Sequence, residues 1–170
     1  MKKKSHKIHL SILSLIVVTM IALPLYLFYE PQDEIIVEFN HYNDLHVEYL
    51  NIKEHIGYDT KAYFFCSSSN DDCIYTDTEI IPELLSIANT EKFDQIYYVD
   101  VTDIDANILP SALKEHLGFS NYPAFAILSY ENSRILVHSV YEWNDNEVFS
   151  AQKIKQWMVE NNLWKKDYTN

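Results

Sequence analysis

The chain has 170 residues, 13 basic against 25 acidic side chains, a formal net charge of −12 and two cysteines. Arg134 is its one arginine, so the clustered cations that neutralise a phosphate backbone are missing and nucleic acid is excluded as a partner. The same acidity disfavours adhesion of the domain to an anionic membrane surface and is the ordinary signature of a soluble, repulsive exterior.

The charge is unevenly placed. Residues 1–7 carry Lys2, Lys3, Lys4 and Lys7 and no acid, and residues 8–29 contain no Asp, Glu, Lys or Arg. As a helix, those 22 residues reach about 33 Å, enough for a hydrocarbon core of about 30 Å. A cleaved signal peptide is the competing reading, since it also starts basic and turns apolar. Its apolar core is shorter and ends in small residues, whereas this run ends Leu25-Tyr26-Leu27-Phe28-Tyr29. The expected organisation is therefore a cytoplasmic basic tip at 1–7, a transmembrane signal anchor at 8–29 and one exported domain at 30–170. Lysines before the span, and Glu30, Asp33 and Glu34 after it, put the N-terminus in the cytoplasm and the domain outside a single-pass cell membrane.

Residues 35–39 read as a strand. Asn43 and Asp44 can cap a helix whose Leu45, Tyr49, Ile52 and Ile56 share a face at spacings of four, three and four. Residues 61–65 form a short aromatic strand ending at Cys66, followed by polar turn residues 67–72. Ile80, Ile81, Leu84, Leu85 and Ala88 make a helical stripe with Pro82 inside it, which predicts a kink. Residues 95–101 read as a strand. Pro110 opens a short helix with Leu109, Leu113 and Leu117 at spacing four, closed by Gly118. Strands at 124–130 and 134–141 are separated by Glu131-Asn132-Ser133, short enough for a hairpin. Ser150 caps a last helix bearing Ile154, Trp157 and Met158. The order β-α-β-α-β-α-β-β-α predicts an α/β domain: a mixed sheet with helices on both faces.

Three local patterns sharpen this. Gly118-Phe119-Ser120-Asn121-Tyr122-Pro123-Ala124 sets a proline at the start of a strand, four residues after a glycine. Ile80-Ile81-Pro82-Glu83-Leu84-Leu85 is a proline-interrupted helix, and Asp71-Asp72-Cys73-Ile74-Tyr75-Thr76 is a cysteine turn flanked by acids. Together with the element order they resemble the thioredoxin-like superfamily, and in particular membrane-anchored thioredoxin-like proteins of Gram-positive bacteria similar to bacteriocin-export accessory factors. The resemblance implies a thioredoxin-like fold, a cis bond before Pro123, a substrate groove at Tyr122, Pro123 and Thr76, and thiol–disulfide chemistry at Cys73.

The chemistry departs from that pattern. The family's exchange reaction uses two thiols at C-x-x-C, and here the second position is Thr76. The other cysteine, Cys66, lies seven residues upstream, and the family's buried acid falls where Tyr63-Phe64-Phe65 stand. Asp71, Asp72 and Asp77 around Cys73 oppose a thiolate, while a helix start favours one.

Three readings of the pair stand: a structural disulfide, a redox-cycling one with Cys73 as nucleophile and Cys66 as resolving thiol, and two free thiols. A bond closing this eight-residue loop would contribute about 2.5 kcal/mol through loop entropy. No metal site is expected, since His41, His46 and Glu48 are close in sequence but lack further ligands, and no cofactor motif occurs. Two functions remain open. One is a membrane-tethered thiol–disulfide oxidoreductase acting on exported proteins or peptides. The other is a redox-silent domain that binds such a partner or an envelope or export complex.

The anchor makes a direct prediction. A reporter fused after Asn170 is active only outside the cytoplasm, and N-terminal sequencing of the mature protein finds residues 1–29 retained. A mature chain starting near Glu30 would contradict it.

Overall fold

A computed structural model describes residue 20 and residues 39–102, 110–144, 146–147, 149–165 and 168. The basic tip, the apolar run 8–29 apart from Met20, and residues 35–38 of the strand expected at 35–39 lie outside the described residues, and Phe39, at φ 41°, is not in a strand. Among those described, no helix is long and apolar enough to cross a membrane. The chain divides into two units, Met1–Ile35 and Ile36–Asn170, and the architecture below is that of the second.

Five strands form one sheet: β1 (Val47–Glu48), β2 (Lys61–Cys66), β3 (Ile96–Asp100), β4 (Ala124–Glu131) and β5 (Arg134–Glu142). Their order is β1-β3-β2-β4-β5. β1, β3 and β2 run parallel, whereas β4 pairs antiparallel with β2 and with β5. The parallel pairs need long crossovers and the antiparallel β4–β5 pair only a tight turn, which is what the element lengths supplied. The mixed sheet and its flanking helices match the α/β architecture expected from the sequence.

β2 is the centre. From Ala62 to Cys66 every residue is buried, so the strand is covered on both faces. On one face Phe64 stacks on Tyr42 and Phe125, with ring centroids 4.9 and 4.5 Å away, and Phe125 meets Trp157 at 5.7 Å. Trp157 comes from α5 (Ala151–Glu160), which packs on α3 (Ile81–Ala88). On the other face Tyr63 and Phe65 meet His55 of α1 (Ile52–Ile56) and Phe119, the latter just beyond α4 (Pro110–Leu117). Helices thus cover both faces, and each fully buried ring of this kind contributes about 1.5–3 kcal/mol.

The helix expected to start at Asn43 does not. Asn43 instead donates through its backbone N to Ile96 O (2.9 Å) and through Nδ2 to Asp94 O (2.7 Å), while its Oδ1 accepts from Leu45 N (3.0 Å). A side chain that offers the backbone such local bonds competes with helix. The β-branched Val47 then pairs with Val99 at the sheet edge, and only a 3₁₀ turn (Tyr49–Asn51) leads into α1. Leu45 is consequently exposed, and the buried residues are Ile52 and Ile56.

The kink expected at Pro82 is a widened turn placed ahead of it. α2 (Asp71–Tyr75) runs through a π segment (Thr76–Ile80) into α3, with Ile81 N donating to Thr76 O five residues back. Pro82 has no N–H for the carbonyl four residues before it, and the extra residue in the turn absorbs the mismatch.

The hairpin is tighter than the three-residue linker suggested. Strands extend to Glu131 and from Arg134, leaving Asn132 and Ser133 at φ 50° and 63° in a two-residue loop. Gly118, at φ +82°, closes α4 where an added Cβ would lie 2.8 Å from Val137 Cγ1. Both its backbone angle and its contact with β5 therefore require glycine. At α5, Ser150 Oγ accepts from Lys153 N (3.4 Å), as the capping pattern predicted.

Candidate functional site

The site lies where β2 runs out. After Cys66 the chain leaves the sheet and turns back through residues 67–70. That turn is held to the end of β3: Thr102 Oγ1 accepts from Ser68 N (3.0 Å), and Asp100 Oδ1 accepts from Thr102 N (2.9 Å) and Oγ1 (2.6 Å). Asn70 then caps α2, its Oδ1 accepting from Cys73 N (3.0 Å). One turn of helix carries Cys73 back over the strand end, where it forms a disulfide with Cys66 across a Cα–Cα distance of 5.5 Å. Ser67 N donates to Cys73 Sγ (3.2 Å).

The sequence-predicted site residues fall as follows. Cys66 and Cys73 are bonded, and each is 0% exposed. Phe65 pairs with Ala124 in the β2–β4 ladder, so one step further Cys66 lies alongside Pro123. The Tyr122–Pro123 peptide is cis. Pro123 O accepts from Trp143 N (2.9 Å), and Tyr122 is buried with its ring edge-on to Phe119. Glu142 pins the approach to this bend, its carboxylate accepting from Ser120 N and Asn121 N and pairing with Lys114 (3.2 Å). Thr76 opens the π segment and is fully buried, with no hydrogen-bond partner for Oγ1. The structure thus gathers the two cysteines and Pro123 at the sheet end and keeps Thr76 inside the helix–sheet packing.

Sequence reasoning missed Asp77. This carboxyl is 4% exposed, its Oδ1 has no hydrogen-bond partner, and it lies in the same helix–sheet layer as the disulfide. The Tyr42 hydroxyl is beside it, and its nearest electrostatic neighbours are His41 and Tyr98. Tyr98 in turn donates to Cys66 O (3.2 Å), linking the cluster to the disulfide's own backbone. Burial pushes the Asp77 pKa above the usual carboxylate range, against the opposing effects of His41 and the Tyr42 hydroxyl. Burial and the neighbouring carboxyl push the Tyr42 phenol well up in turn. The signal was present in the sequence, because Asp77 falls inside the stripe Cys73, Ile80, Ile81, Leu84 at helical spacing.

Chemically, the arrangement is a covalent brace between the end of the central strand and the helix above it. Thiol–disulfide exchange needs a thiolate to reach a sulfur, and here both sulfurs are closed from solvent. Asp71 and Asp72, close by in sequence, are acids that oppose thiolate formation.

No family model matches the chain, and no curated protein matches it. Among solved structures it is similar to the thioredoxin of Trichomonas vaginalis, at 17% identity over 68% of this chain and 96% of that one, with a TM-score of 0.40. It is similar to the thioredoxin of Plasmodium falciparum at 13% identity, covering 70% and 85% of the two chains, with a TM-score of 0.39. It is also similar to ERdj5 at 15% identity and a TM-score of 0.38, over 69% of this chain and only 15% of the ERdj5 chain. No activity passes from these distant likenesses to this chain.

The buried acid gives a pH prediction. Because the folded pKa of Asp77 is raised, the folded state holds its proton more tightly than the unfolded chain does. The associated stability is complete below the unfolded carboxylate range near pH 4 and is lost as pH rises through the folded pKa. Asp77→Asn should remove that part of the pH dependence and be more stable relative to wild type near neutrality than at pH 4. Urea denaturation across this range checks it. Parallel stability curves for the two proteins would contradict the assignment.

Proposed function

We propose that residues 30–170 form an extracytoplasmic thioredoxin-like domain, held at the cell membrane by the anchor at 8–29. In this reading it serves as a redox-silent binding or accessory module, with the Cys66–Cys73 disulfide as its structural brace. One observation carries the silent reading: the two cysteines have no exposed surface, so no sulfur is presented to an incoming thiolate. The partner is an exported protein or peptide, alone or within an envelope or export complex. It docks at the sheet end around the Tyr122–Pro123 bend, flanked by Asn121 and Trp143. Replacement of the second thiol of C-x-x-C by the buried Thr76 fits a site that keeps its shape without its chemistry.

A second reading is favoured by position. The disulfide sits at the end of the central strand, in line with Pro123, where a thiol–disulfide oxidoreductase of this fold would hold Cys73 as nucleophile and Cys66 as resolving thiol.

The reduction potential separates the two. Equilibrating the full-length protein with thiol buffers and trapping free thiols by alkylation should give a value below about −300 mV, as for structural disulfides. A potential between about −120 and −270 mV would reject the silent reading in favour of exchange.

A further inference from the structure

Most of the described cations of the domain are engaged. Lys61 Nζ donates to His55 O (2.7 Å), Lys92 pairs with Asp44 (2.8 Å), Lys114 with Glu142 (3.2 Å) and Lys153 with Glu147 (2.9 Å). Lys155 and Lys165 lie over the rings of Trp164 and Tyr168. Among the described residues, Lys53 and Arg134 alone have neither a carboxylate, a carbonyl nor a ring to hold their charge.

Both line one cleft of about 630 Å³, a size suited to a small organic molecule. α1 contributes Lys53, and α4 contributes Glu115 and His116. The two-residue hairpin loop places Arg134 at the first position of β5, where it reaches the same cleft from the other side. Buried Ile52 and Leu117 belong to its lining, Tyr49 and Ile135 are half-buried, and Leu50 is 80% exposed. Among the described lining residues Glu115 is the one carboxylate, against Lys53 and Arg134, beside an apolar wall. A guanidinium is the side chain best matched to a planar carboxylate, which it can bind in two parallel hydrogen bonds.

We infer that this cleft is a binding site for a small organic monocarboxylate, its charged group held by Arg134 and Lys53 and its apolar body lying against Tyr49, Leu50 and Ile135. Glu115 sets the charge limit, since it repels a second anionic group. The site is built from the hairpin end of β4 and β5, whereas the disulfide lies where β4 begins, so it stands apart from the redox question.

The test uses the full-length protein in lipid nanodiscs, with empty nanodiscs to subtract partitioning. Equilibrium dialysis against 3-phenylpropionate should show saturable binding, with 3-phenylpropan-1-ol and acetate each weaker by about tenfold or more, because each lacks one half of the recognition. Arg134→Gln and Lys53→Gln should each weaken 3-phenylpropionate about tenfold, the scale of one charge-assisted hydrogen bond. Glu115→Gln should tighten it. The site is refuted by a lack of saturable binding, by equal binding of the alcohol, or by unchanged affinity when Arg134 and Lys53 are both replaced.

Discussion

The structure depends on the burial of β2 from both sides. Ala62 to Cys66 have no usable contact with water, so each side chain must be matched by a partner from one helical layer or the other. Phe64 fixes the layer of α3 and α5 through Tyr42, Phe125 and Trp157, while Tyr63 and Phe65 fix that of α1 and α4 through His55 and Phe119. The strand ends in a cysteine, so the disulfide inherits this enclosure: Cys66 is already core before it bonds, and Cys73 is drawn into the core to meet it. The brace adds about 2.5 kcal/mol of loop-closure stabilisation to this strand end.

The same enclosure explains the cost stored next to the disulfide. Asp77 shares a helical stripe with Cys73, Ile80 and Leu84, and packing that stripe against the sheet takes its carboxyl out of water. A buried carboxyl without a full set of partners costs stability, and its protonated form is the cheaper one. Tyr42, Tyr98 and His41 surround it with polar groups, and Tyr98 ties that group to the backbone of Cys66. The buried acid and the disulfide therefore lie in one helix–sheet layer, joined through Tyr98.

Much of this was legible in the sequence because it rests on local chemistry. The aromatic run ending at Cys66, the Ser150 cap, the glycine closing α4 and the hairpin all have short-range signals, whereas the cis bond before Pro123 was implied by the family resemblance. What was not legible was decided by distant contacts. Val47 became a two-residue strand because Val99 offered it a partner, and Asn43 was diverted from capping by the carbonyls of Asp94 and Ile96. The π segment shifts the stripe by one residue, a change that counting spacings from Pro82 does not reveal. The cleft that gathers Lys53 and Arg134 joins residues far apart in the chain, and no motif links them.

Both sulfurs are closed from solvent in the folded domain, and the kinetics of their reduction report on that closure. In excess dithiothreitol, the Cys66–Cys73 bond of the full-length protein should be reduced slowly without denaturant. The rate should rise with urea well below the unfolding midpoint, because attack must await an opening that exposes buried surface. Rapid reduction independent of urea would mean that thiols reach the disulfide in the native domain, and the structural-brace account would fail.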